Sequence, residues 1–189
     1  MTEVVSQLVA FFLGIAASFA FWYFLLIVKP KVQIAPFATY EPLEDRLRIK
    51  IINRGRRQVT DLQATLTITE QRLVQGGFRL INVHNLPLMR EELFALGSVR
   101  DYGKPWSLYP IYIFSSKQAG AALKMMESSG TDERRLVFTL SATDSLSNTK
   151  MIQRVSYAPV DIKEGKFDIG LRFAAIETPI APVPKTTKT

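Results

Sequence analysis

An uncharged run near the N-terminus constrains this chain more than anything else in it. From Val4 to Val28 there is no Asp, Glu, Lys or Arg. As a helix these positions, about 25 of them, rise ~37 Å, more than the ~30 Å hydrocarbon core of a bilayer. Such a helix is apolar all round and has no polar face to turn to water. A protein of 189 residues has too small a core to bury it. The run therefore predicts a membrane span. Trp22 and Tyr23, toward its end, suit the aromatic belt of a membrane interface. Gly14 and Ser18 stand four apart, as do Ala16 and Ala20, the small-residue spacing that lets membrane helices approach closely. These four are the candidate helix-packing residues.

Flanking charge predicts the orientation. Only Met-Thr-Glu precedes the run, whereas Lys29, Lys31, Arg46, Arg48 and Lys50 follow it. The positive-inside bias then places residues 1–3 outside the cell and the body in the cytoplasm, at the inner (cell) membrane. The competing reading is an export signal cut after Ser18-Phe19-Ala20. Against it, no basic residue leads the run, and eight more apolar residues follow Ala20.

The remaining chain changes character. "RLRIKIIN" (46–53) alternates, with Leu47, Ile49 and Ile51 on one side and Arg48 and Lys50 on the other. "DLQATLTIT" (61–69) alternates again, with Leu62, Ala64, Leu66 and Ile68 inward, and the turn "NRGRRQ" between them predicts a hairpin-like pair. Further strands are predicted at 76–83 and 109–115, and a second pair at 134–143 and 149–158 around a turn containing Asp144. Only "SSKQAGAALKMMES" (115–128) has a helical pattern, with Ser115 or Ser116 as cap and Gly130 past its end. Short strands at near-regular spacing predict an antiparallel β-sandwich. The organisation expected is a short N-terminus (1–3), a transmembrane helix (4–28), a juxtamembrane linker (29–35), a sandwich (36–175) and a disordered tail rich in Pro, Thr and Lys (176–189).

Composition narrows the chemistry. The net charge of +7 and a pI near 9.7 ask for a negatively charged partner. The basic residues are spread over strands and loops without an aromatic RNA-binding pattern, which argues against nucleic acid. There is no cysteine, and the single histidine, His84, is expected in a loop. No nucleotide-phosphate loop and no G-x-S-x-G elbow occurs. No cofactor, no metal and no enzymatic activity are expected. Lys29 and Lys31 fall at headgroup level, where each basic residue contributes ~1 kcal/mol toward anionic lipid. With Arg54, Arg56 and Arg57, clustered in one turn, they are the candidate lipid-binding residues.

Four segments together carry a resemblance: "VKPKVQIAPFATY" directly after the apolar run, "LRIKIINRGRRQVTDLQATLTI", "HNLPLMREELFALGSV" followed by "YPIYIFSS", and "RRLVFTLSATDSLSNTKMIQRVSYAPVDIKEGKFDI". In order and spacing, over roughly residues 29 to 170, they resemble the cytoplasmic domain of inward-rectifier potassium channels. Ser156, Tyr157, Ile162, Gly165 and Phe167 match its closing element, with Phe167 one place early. The resemblance implies an immunoglobulin-like sandwich of the E-set type that self-associates beneath a membrane helix and contacts anionic lipid. It does not imply potassium transport, because the chain has one apolar run and nothing like T-V-G-Y-G. The expected function is thus a single-pass membrane protein presenting a cytosolic sandwich as an oligomerisation, regulatory or interaction module. The expected partners are the membrane itself and either further copies or another membrane protein. Two alternatives stand beside it: an exported, tethered sandwich binding an envelope ligand, and an accessory subunit of a membrane transport complex.

Overall fold

The computed structural model describes residues 2–28, 30–75, 77–117, 119–127 and 134–176. Thr2–Val28 forms one helix, α1, and every described side chain on it is exposed. The stretch Glu3–Phe24 is long and apolar enough to cross a membrane. Among the described residues nothing in the rest of the molecule covers it.

Among the described residues, twelve strands and one short α-helix follow. In chain order they are β1 (Val32–Ile34), β2 (Ala38–Glu41), β3 (Arg46–Asn53), β4 (Val59–Val74), β5 (Gly77–Leu86), β6 (Glu92–Leu96), β7 (Ile111–Lys117), α2 (Ala119–Glu127), β8 (Arg134–Asp144), β9 (Lys150–Tyr157), β10 (Ile162–Glu164), β11 (Lys166–Phe167) and β12 (Ala175–Ile176). One sheet is centred on β3, with β7 along one side and β1 and β2 in succession along the other. β10 extends this sheet by pairing with β2 in parallel. The second sheet is centred on the long β4, with β8 and then β9 on one side and β5 and β6 in succession on the other. The pairs other than β2–β10 are antiparallel.

The two sheets face each other across one apolar core, an immunoglobulin-like β-sandwich. Leu47, Ile49 and Ile51 of β3 meet Leu62, Ala64, Leu66 and Ile68 of β4 there. Phe114 of β7 lies against Phe138 of β8 with ring centroids 5.5 Å apart. Each fully buried Leu, Ile or Phe contributes about 1.5–3 kcal/mol by leaving water. Tyr157 closes the core at the end of β9, its hydroxyl donating to the Ala35 carbonyl at 2.8 Å and so tying one sheet to the other.

Several sequence expectations are corrected. The strands at 46–53 and 61–69 do not pair. Each alternates with one apolar face, but the chain crosses between sheets at 54–58, so the faces oppose each other across the core. Alternation shows that a face is buried and leaves open whether successive strands lie side by side or face to face. Val32–Ile34, expected in the linker, is strand β1. His84 is in β5, opposite Ile68 and exposed, and not in a loop. Ser115 and Ser116 belong to β7, so neither caps the helix. Its N-terminus is served from afar: the Asp45 carboxylate accepts the Gly120 amide at 2.6 Å and the Tyr40 hydroxyl at 2.9 Å. A Cβ on Gly120 would stand 2.8 Å from the Tyr40 hydroxyl and 2.9 Å from that carboxylate, so glycine alone fits without displacement. Gly130 and the tail beyond Ile176 lie outside the described residues.

Lys50 is the largest departure. Its place in the alternation is as expected, opposite Leu47 and Ile49, yet it is fully buried. The segment between β11 and β12 laps over the outer face of the sheet. The Lys50 ammonium donates to the carbonyls of Asp168 (2.5 Å), Gly170 (2.5 Å) and Arg172 (2.7 Å), matching three donors with three acceptors. Burial pushes its pKa down, against the opposing pull of the Asp168 charge.

Candidate membrane-facing site

Strand direction decides which loops share an end. α1 ends at Val28, and the carbonyl of Lys31 already accepts the Arg54 amide at 2.9 Å. Three residues reach at most ~11 Å, so the 54–58 turn lies beside the exit of α1. The Asn53 amide donates to the Pro110 carbonyl at 2.8 Å, and the Ser145 amide to the Gln58 carbonyl at 3.4 Å. The turn at 54–58, the loop at 97–110 and the turn at 144–149 therefore gather at one end with Lys31.

Asn53 is the hub of this end. It is fully buried, and its side-chain amide donates to the carbonyls of Arg57 (2.7 Å) and Gly97 (2.8 Å). Its carbonyl oxygen accepts the Gly55 amide at 2.9 Å. One neutral side chain thus holds both the basic turn and the start of the long loop. Position 97 itself requires glycine. A Cβ there would fall 1.8 Å from the Leu108 carbonyl oxygen, because the loop returns directly over it.

The loop itself is ordered by short-range bonds. Ser98 caps a turn of 3-10 helix, its hydroxyl accepting the Asp101 amide and donating to the Asp101 carboxylate at 2.8 Å. Lys104 donates to the other oxygen of that carboxylate at 2.5 Å. Lys104 and Ser98 together hold the Asp101 carboxyl below the usual range. Out of this scaffold project Trp106, 94% exposed, and Tyr109, 70% exposed, with Tyr102 edge-on to Tyr109 at 6.2 Å. Leu146 on the neighbouring turn is exposed as well.

The structure brings most of the expected lipid-binding residues to this end. Lys31, Arg54 and Arg56 are exposed and Arg57 is half-buried. Arg54 also has an internal role, donating to the Gln33 side chain at 3.2 Å and to the Leu171 carbonyl at 2.7 Å. Lys29 lies outside the described residues. The expected helix-packing residues divide between two sides of α1. Gly14 and Ser18 line a shallow groove with Ala10, Phe11, Ile15, Phe19 and Trp22, and the Ser18 hydroxyl donates back to the Gly14 carbonyl at 2.8 Å. Ala16 and Ala20 sit two residues on, about 200° around the helix.

Sequence reasoning missed Asn53, Lys104, Trp106 and Tyr109. The run "DYGKPWSLYP" carried a signal, since three aromatics among Gly and Pro with no alternation form a loop whose large side chains lack a strand face to bury.

No family model matches this chain, and no curated protein matches it. Among solved structures it is similar to the ASH/PapD-like domain of human CEP192 (PapD-like domain 7). The two share 14% identity over 78% of this chain and 87% of that one, with a TM-score of 0.37. The fold assignment rests on the strand registers and the shared core, and no function is drawn from that likeness.

Proposed function

We propose that this chain is a single-span membrane protein of the inner (cell) membrane, with its N-terminus outside and its sandwich in the cytoplasm. The sandwich works as an oligomerisation, regulatory or interaction module and not as an enzyme. Lys29, Lys31, Arg54, Arg56 and Arg57 meet anionic headgroups at the point of exit. One observation carries the reading. A wholly exposed apolar helix runs, within three residues, into a backbone hydrogen bond of the folded domain. A helix of this kind is stable in lipid and not in water, and its tether holds the basic turn at the bilayer surface. The likeness to inward-rectifier cytoplasmic domains supports the same architecture without a pore. The test is alkaline extraction of membranes combined with a reporter fused at the C-terminus. Retention in the membrane with a cytoplasmic signal is expected. A protein that is monodisperse in water without detergent, or one processed after Ala20, overturns it.

A second reading is favoured by the groove at Gly14 and Ser18. There a neighbouring membrane helix packs closely and the chain serves as a subunit of a larger membrane assembly. Cysteine placed at Gly14, where added atoms meet nothing, is expected to cross-link to a multi-span partner in native membranes. Cross-linking only to copies of itself, or to nothing, removes this reading.

A further inference from the structure

We propose that the 97–110 loop is a second membrane contact, with Trp106 and Tyr109 seated in the headgroup–acyl boundary of an anionic bilayer beside the basic turn. This rests on the reading of α1 as a span and extends it from a tether to a docked domain.

Three observations converge on it. The first is position. The loop is hydrogen-bonded through Asn53 and Pro110 to the same turn that meets Lys31, so it lies at the end of the sandwich that the tether holds against the membrane. The second is chemistry. Trp and Tyr are the side chains enriched at membrane interfaces, where the ring enters the acyl boundary and the N–H or O–H stays wet. Trp106 is the most exposed large apolar side chain among the described residues, at 94%. Lys104 lines the same hollow as Trp106, and Arg100 of the same loop and Arg56 of the adjoining turn are both exposed. Lys104 is offset by Asp101, and the other carboxylates at this end, Asp61 and Asp144, are outnumbered by Lys31, Arg54, Arg56, Arg57 and Arg100. The face therefore presents a net positive charge to phosphate. The third is rigidity. The Asn53 hub, the return of the loop over Gly97 and the Ser98–Asp101 cap fix the loop before any lipid arrives. Seating it costs little ordering entropy. A protein partner of acidic surface would meet the same charge, but the tether supplies the bilayer at a distance that no free partner matches.

The chain holds two tryptophans, Trp22 and Trp106, which makes the test self-controlled. Full-length Trp22→Phe is reconstituted in vesicles of phosphatidylcholine with a minority of phosphatidylglycerol. The acyl chains are either plain or brominated close to the headgroup. Trp106 emission is expected to drop roughly twofold with the brominated lipid, as for a side chain of the interfacial belt. The charge reversals Arg56→Glu and Arg100→Glu, both at exposed positions, are expected to restore most of it. Full-length Trp106→Phe reports on Trp22 in the same vesicles. If Trp22 is quenched and Trp106 is not, the loop contact is wrong and the span stands. If Trp22 is not quenched, the span itself fails and the loop contact falls with it. A blue shift of Trp106 that grows with protein density in plain vesicles, without quenching by bromine, assigns the loop to a second copy and also overturns the proposal.

Discussion

The two ends of the sandwich are held together by different means. At the end beside α1 a neutral amide, Asn53, ties the 54–58 turn to the 97–110 loop through backbone carbonyls and amides. At the far end buried or half-buried carboxylates do the work. Glu41 is buried against Arg48 and Lys166, each at 2.7 Å. Glu70 is buried against Arg72 and Arg134, and Arg134 in turn donates to the Met125 carbonyl of α2. Asp45 caps α2. A hub of neutral amides keeps its strength whatever the local charge, so under the proposed function it suits a surface facing a variable population of headgroups. The ion pairs of the far end depend instead on pH and salt.

Substitution of the hub gives the largest expected effect. Asn53→Ala strands two carbonyls and one amide, and the expected loss is about 3–5 kcal/mol of unfolding free energy as one buried network fails. Gly97→Ala forces the loop off its path and is expected to raise hydrogen exchange across 97–110 while α2 stays protected. Equal loosening of both ends in either variant would break the contrast.

Removal of the distal cap comes next. Asp45→Ala is expected to cost about 1–2 kcal/mol, the range for losing a helix N-cap, with exchange rising in α2 and not at 97–110. Because Asp45 has φ 47°, Asp45→Asn, which tolerates that backbone, separates loss of the acceptor charge from backbone strain.

Acid provides the sharper comparison. Burial pushes the Glu41 carboxyl up, but the Lys166 hydrogen bond and the Arg48 charge outweigh it and leave its pKa lowered. Hydrogen bonds from Arg72 and Arg134 lower that of Glu70. Both folded pKa values lie below the unfolded ones. Their stabilisation is therefore complete above the ordinary carboxylate range and is lost as pH falls through the depressed values. Below about pH 4 exchange at β2, the distal part of β4 and α2 is expected to rise before that around Asn53. Asp101 is also held low, but it orders only the tip of its own loop. The smallest effect is expected for Tyr157→Phe, about 1 kcal/mol in denaturant unfolding for a hydrogen bond lost between the sheets.

Much of this architecture is legible in residue order. The alternation of Leu62, Ala64, Leu66 and Ile68 marks a buried face, and Asp144 marks the β8–β9 turn, its carboxylate accepting the amides of Leu146 and Ser147. What is not legible depends on contacts between distant segments. Lys50 reads as a solvent-facing residue because its cover comes from residues 168–172. Strands β1, β2 and β10 are too short to show a period, and their pairing is set by β3 and by each other. Of the candidate site, the basic turn can be read locally. The aromatic loop cannot be placed beside it without knowing that the chain changes sheets at 54–58.

The carbonyl cradle around Lys50 has a consequence for biosynthesis. Its three acceptors lie 118, 120 and 122 residues downstream of the ammonium. While the chain emerges from the ribosome, the central strand of one sheet carries a charge that water must keep solvated until Arg172 appears. The outer wall of that sheet is therefore sealed late, by nearly the last described segment to be made, and a nascent sandwich stays half-finished until then.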